Sequence, residues 1–190
     1  MTIATSIQVD PSSILIALDN LGVNLKREIG IINRRVARKT RSLIAKEVTK
    51  ELAVTQKSVR ATITVHSQSR LSLSDDNQAA EVELKKTDRL SLKRFKPRQL
   101  KRGGVSYKIS KTQGRKTIPG AFIAGGLNGQ VFVREGKERL PIRKLYGPSP
   151  WGVHVVNKQV VAILPKINGE LRKQMSERLR YQTLKQSGAI

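Results

Sequence analysis

There is no cysteine in this chain, so it can build neither a disulfide framework nor a thiolate zinc site, which suits a cytoplasmic protein. Aromatic residues are nearly as scarce: three Phe, three Tyr and one Trp make up 4% of 190 residues. A core must then come from Ile, Val, Leu and Ala, and part of the apolar surface is expected to find burial against other subunits. Histidine occurs twice, at His66 and His154, and neither stands in a pattern that pairs a nucleophile with a base. No apolar run approaches the roughly 20 residues that span a bilayer, and the opening MTIATSIQVDPSS lacks the basic start and long apolar stretch of a secretion signal. The expectation is a soluble, unexported protein without a membrane partner.

Acidic residues are few as well, 14 against 37 Lys and Arg, a formal charge of +23 with a pI near 11.0. Charge of this size does not specify a fold, but it favours a polyanion partner, of which nucleic acid is the commonest. Lys85 to Lys116 holds 13 basic residues against Asp88 alone, a net +12 in 32 residues. Half of the excess charge lies in one sixth of the chain.

Hydrophobic spacing organises the remainder. Asp10-Pro11-Ser12-Ser13 reads as a helix start, and Leu15, Leu18, Gly22, Leu25, Ile29, Ile32, Val36, Thr40 and Leu43 follow at intervals of three and four, as one long amphipathic helix requires. Ile44, Val48 and Leu52 carry the stripe on. Gly22 and Gly30 each weaken the helix by about 1 kcal/mol relative to alanine, so a bend or break is expected near one of them. Arg34, Arg38 and Arg41 form a basic row on this helix, and Arg35, Lys39, Lys46 and Lys50 form another. Thr55 is the predicted N-cap of a short helix over Gln56–Ala61, and Thr62 to Val65 and Ala80 to Leu84 alternate as strands do. Ser67 to Gln78 reads as a polar loop, and Asp88 to Gly104 as a long, mobile, cationic one. Val105 to Ile109 restores strand alternation.

Ile118 to Ser149 is the most legible stretch. Ile118-Pro119-Gly120-Ala121 fits a type II turn, because proline presets φ at one central position and glycine accepts positive φ at the next. Ala121 to Ala124 then makes a short strand, Asn128-Gly129 a hairpin signal, and Val131 to Arg134 a second strand. Gly136 lies in the following polar turn, and Pro141 argues that the third strand is at an edge or starts late. Gly147-Pro148 ends the meander, and Ser149-Pro150 starts a helix with serine as N-cap and proline in the first turn. A second long stripe follows at Val153, Val156, Val160, Ile163, Ile167, Leu171, Met175 and Leu179, with Pro165 expected to kink or divide it.

The blocks IPGAFI, VFVR, RLPI and LYGPS, in that order, resemble the signature of the minor tail protein Z family of tailed bacteriophages and prophages, whose members are small basic tail-completion proteins. Asn33-Arg34, Ala37-Arg38 and Val59-Arg60 are similar to the family as well. The resemblance implies a virion protein at the head-proximal end of the tail, assembled in the host cytoplasm, that completes the tail and joins it to the head. Its implied partners are further copies of itself, as a ring of six, and neighbouring tail or neck proteins.

The expected fold is a single α+β domain over residues 1–190. It is helical over 12–61, β-rich over 62–148 with the basic loop at about 88–104, and helical over 150–186, the C-terminal helix packing on a small antiparallel sheet. Arg34, Arg38, Arg41, Lys93, Arg94, Lys96, Arg98, Lys101 and Arg102 are the candidate contacts, either to DNA phosphates or to an acidic protein neighbour. Pro119, Gly120, Asn128, Gly129, Gly147 and Pro148 are read as structural turn residues, since the glycines match neither a P-loop nor a dinucleotide fingerprint. Phe95, Tyr107 and Trp151 are either stackers for bases or fillers of a thin core. Asp75, Asp76, Glu81 and Glu83 are read as a turn and a solvated strand face rather than a nuclease-like metal site. No enzyme, cofactor or metal is expected. A free, non-specific nucleic-acid-binding protein explains the charge equally well, but gives no reason for the IPGAFI to LYGPS blocks.

Overall fold

A computed structural model describes residues 16–17, 20–22, 25–66, 80–156 and 159–188. The expected helix start at Asp10 to Ser13, Leu15 and Leu18 of the first stripe, and the polar loop with Asp75 and Asp76 lie outside the described residues, as do the side chains of Leu25, His154, Val156 and Val160.

Helix α1 spans Leu25–Glu51. A turn at Leu21-Gly22 precedes it, with Gly22 at φ 62°, so the expected break falls there, and the helix continues through Gly30. The stripe is buried at Ile32, Val36, Thr40, Ile44, Val48 and Leu52. Thr55 caps helix α2, Gln56–Arg60, accepting from the Ser58 amide at 3.3 Å. Strands β1, Ile63–His66, and β2, Glu81–Leu84, form a two-stranded sheet.

The chain divides into two compact units: Ile44–Thr62 with Leu84–Asn157, and Thr2–Leu43 with Ile63–Glu83 and Lys158–Ile190. Helix α1 contributes to both.

In the first unit, strands β3 (Arg98–Gln99), β4 (Val105–Tyr107) and β5 (Lys116–Ile118) make one antiparallel sheet, and β6 (Ala121–Ala124), β7 (Gln130–Arg134) and β8 (Ile142–Lys144) another. The Pro119-Gly120 turn has the expected positive φ at Gly120, 69°, yet it does not close a hairpin. It passes the chain from β5 in one sheet to β6 in the next. The second sheet is the predicted meander. Ala124 pairs with Gln130 across a 3-10 turn, Gly125–Leu127, followed by Asn128 and Gly129, both left-handed at φ 56° and 64°. Strand β8 begins after Pro141 and lies at the sheet edge, where a residue without an N–H is tolerated.

The expected mobile basic loop is instead an ordered part of this unit. Leu90, Leu92 and Phe95 are buried within it, Phe95 at 0% exposure, and Leu92–Phe95 forms a 3-10 helix. Burial of a phenylalanine is worth about 2–3 kcal/mol, which opposes the freedom that the surrounding charge suggests. Backbone bonds tie the segment to both sheets: the Leu92 amide donates to the Leu145 carbonyl at 3.0 Å, the Gly147 amide to Leu90 at 2.7 Å, and the Lys108 amide to Phe95 at 3.0 Å. Strand β3 follows directly and pairs with β4.

Ser149 caps helix α3, Pro150–Val156, accepting from the Trp151 amide at 3.3 Å. Helix α4, Gln159–Gln186, runs through Pro165 without being divided. Pro165 lies in the second turn of α4, where it removes one backbone donor and leaves the Val161 carbonyl without its helical partner. Ile163, Ile167, Leu171 and Met175 are buried as the stripe predicts. Where the sequence reading set this helix on the sheet, its described partner in the second unit is α1. The architecture is α+β.

Candidate functional site

Spacing of four and then three places Arg34, Arg38 and Arg41 on one side of α1, away from the buried row Ile32, Val36 and Thr40. Arg34 and Arg38 are exposed and Arg41 is half-buried. Together with Ile63, Thr64 and Val65 of β1 they line an open cleft of about 390 Å³. Buried Ile63 anchors the strand and exposed Thr64 presents a hydroxyl. Guanidinium groups offer planar forks of N–H donors that match phosphate or carboxylate oxygens two at a time.

Two carboxylates of this unit, Glu83 and Glu28, are engaged by other side chains. Glu83 Oε2 meets His66 Nε2 at 2.9 Å across the β1–β2 pair, which gives both residues a structural role. Among the described residues no three His, Asp or Glu side chains gather as metal ligands. Glu28 is buried at 1% exposure and is held by Arg178, through Nε and through an N–H at 2.9 Å, and by the Gln182 amide at 2.9 Å. The Arg178 hydrogen bond holds the Glu28 carboxyl below the usual glutamate range, against the opposing effect of burial, and the same bond raises Arg178. Tyr181 stacks on the Arg178 guanidinium at 4.6 Å. The sequence reading missed this cluster, although a signal was present. Glu28 occupies the position four residues before Ile32 on the buried row, and Arg178 and Gln182 extend the α4 stripe beyond Met175.

The second set of candidates separates into two groups. The Lys93 ammonium donates to the Asn128 carbonyl, Arg94 donates to Ser58 Oγ at 2.8 Å, and the carbonyl of Lys96, a residue at φ 50°, accepts from Arg115 at 2.7 Å. Lys93, Arg94 and Arg115 thus hold the unit together. By contrast the side chains of Lys96, Arg98, Lys101 and Arg102 are exposed, with no partner among the described residues. Arg98 lies on edge strand β3, and Lys101 and Arg102 lie at the tip of the β3–β4 hairpin.

Of the turn residues, Gly120, Asn128 and Gly129 have the left-handed backbone the sequence predicts. Gly147 has a different reason for being glycine: a Cβ there would lie 2.3 Å from Phe95 Cε2. Pro119 is exposed beside Gly120, and half-buried Pro148 leads into the Ser149 cap. Phe95 is sealed in the core, so it cannot stack on a base.

Among the described residues no helix is long and apolar enough to cross a membrane. The family model described as prophage minor tail protein Z (GPZ) matches residues 17–186. No curated protein and no solved structure matches the chain. Since the match takes in α1, both three-stranded sheets and α4, the chain belongs to the prophage minor tail protein Z family, whose role in the phage tail is structural.

Proposed function

We propose that this protein is a structural, non-enzymatic subunit at the head-proximal end of the tail, where it completes the tail and joins it to the head, and that it contacts the DNA passing through. The observation that carries the DNA contact is the cleft in which Arg34, Arg38 and Arg41 stand together beside β1. A net charge of +23 supports a polyanion neighbour. In this reading copies assemble as a ring in the neck of the virion, after synthesis in the host cytoplasm. Exposed strand edges such as β5 and β8 provide surfaces for subunit contact, and six copies would follow the sixfold symmetry of such tails.

Replacing exposed Arg34 and Arg38 together with glutamine tests the contact, with the variant supplied to a prophage that lacks its own copy. The helix should still form, and particles that retain DNA should fall about tenfold, because each phosphate left without its cation weakens a salt-sensitive association. Unchanged DNA retention would remove DNA from the role of this cleft. Density from a particle reconstruction tests the location: a neck ring is expected, whereas protein absent from particles but binding DNA as a monomer would favour the free nucleic-acid-binding alternative.

A further inference from the structure

The β6–β7–β8 sheet has two unlike faces. Register aligns Phe122 with Phe132 and Phe132 with Lys144 in one row across three strands, and Arg134 with Ile142 in the next row along. Side chains alternate along strands, so Phe122, Phe132, Arg134, Ile142 and Lys144 share one face, while Ala121 and Val131 on the other are buried at 2% and 0% exposure. The Phe122 and Phe132 rings stack with centroids 6.2 Å apart. Arg134 stands over Phe122 at 5.0 Å. Just past β8, Lys144 stands over Tyr146 at 5.2 Å, and Tyr146 is 48% exposed. No strand residue on this face is acidic. In a chain with seven aromatic residues, three are gathered on one solvent-reaching face with two cations beside them.

We infer that this face binds single-stranded nucleic acid, stacking unpaired bases on Phe132 and Tyr146 and holding the adjoining phosphates on Arg134 and Lys144. The pairing of ring and cation selects that occupant. An anion alone would need no rings, and an apolar protein surface would leave Arg134 and Lys144 desolvated without counter-charges. A second copy of this strongly basic chain is a poor partner for the same reason. Flexible single strands present a flat apolar ring and a negative charge in every nucleotide, and ring stacking on such strands tolerates any sequence. A duplex buries its bases against one another and cannot offer them to the rings. The face shares no residue with the arginine cleft, so each proposal stands or falls alone.

Fluorescence anisotropy of the full chain with a dye-labelled oligothymidylate tests the inference, with a duplex of equal length and polyglutamate as comparison ligands. Phe132→Leu and Tyr146→Leu keep apolar bulk and remove the π face. Each should weaken oligothymidylate binding about tenfold and leave duplex binding within about twofold, the range expected when one base–ring stack is removed. Three results overturn the inference: no binding of the oligonucleotide at low salt, equal losses for single strand and duplex, or the same losses for polyglutamate, which would make the face an acidic-protein surface. Photocrosslinking of an iodouracil-substituted strand to the wild-type chain needs no variant. Adducts should map to Phe132 or Tyr146, and adducts confined to other residues would refute the site.

Discussion

Gly147 and Phe95 show how much a single hydrogen in place of a methyl can decide. The benzyl ring occupies the space where any side chain at 147 would begin, 2.3 Å from its Cε2, and the Gly147 amide is simultaneously bonded to the Leu90 carbonyl at 2.7 Å. Ring and backbone are therefore fixed by the same close approach. Gly147→Ala is expected to destabilise the protein by about 2 kcal/mol, the range for overpacking a dense core. Phe95→Leu in the same chain should recover at least about 1 kcal/mol of that loss, because the two changes share one space. Urea unfolding of both single variants and the double variant measures the coupling, and strictly additive losses would show that the ring does not limit position 147. In the sequence Gly147 is legible only as a turn residue beside Pro148. The ring that demands it comes from a segment 52 positions earlier, and sequence spacing carries no trace of that approach.

Among the elements, the long helices are the most legible in the sequence and the cationic segment the least. A stripe at intervals of three and four requires no knowledge of what covers it, so Ile32, Val36, Val48, Ile163, Ile167 and Met175 can be assigned to a buried face without knowing their partners. Asp88 to Gly104 misleads because its charge density hides Leu90, Leu92 and Phe95, three apolar residues spaced by two and then by three, so that no single period runs through them. Glu28, Arg178 and Gln182 bond α1 to α4, and this cluster has a pH signature. The Glu28 carboxyl titrates lower in the folded state than in the unfolded chain, so its contribution is fully present above the ordinary glutamate range, about pH 4.3, and is lost as the pH falls through the lower folded value. Glu28→Gln should cost about 3 kcal/mol near neutrality, since it leaves Arg178 largely buried without its counter-ion, and should flatten the acid side of the stability curve. Thermal melts of both proteins from neutral pH down to about pH 3 test this. An acid limb as steep in the variant as in the wild type would assign the pH dependence to other groups. Replacing the pair by Glu28→Leu with Arg178→Met should return most of the lost stability.

Across the whole molecule, the basic residues of the cationic segment fall into two groups, and the structure separates them. Lys93, Arg94 and Arg115 bond to Asn128, Ser58, Ser106 and the Lys96 carbonyl inside the first unit, whereas Lys96, Arg98, Lys101 and Arg102 point their charges outward. Changing those four to glutamine should leave the unfolding midpoint unchanged or slightly raised, because self-repulsion is reduced. If they touch phosphates, the same change should also lower the slope of log affinity against log salt for DNA, by about 0.9 for each phosphate no longer neutralised. Arg94→Gln should instead cost about 1 kcal/mol of stability. Denaturation midpoints and salt titrations of the two variants separate the roles, and indistinguishable stabilities would show that Arg94 is as peripheral as the rest.

By itself the sequence determined what depends on neighbours along the chain: the two amphipathic helices, the Thr55 and Ser149 caps, the left-handed turns at Gly120 and Asn128-Gly129, the Arg34, Arg38 and Arg41 row, and the blocks that resemble the phage tail family. Those features follow from backbone sterics, helical period and local hydrogen bonding, whose range is a few residues. Only the tertiary structure decided which cations are tied down, that Phe95 is core and demands Gly147, that Glu28 is buried against Arg178, and that Phe122, Phe132 and Tyr146 share a face with Arg134 and Lys144. Each of these depends on the meeting of residues far apart in sequence, and pairing register and packing, which no local pattern encodes, bring them together.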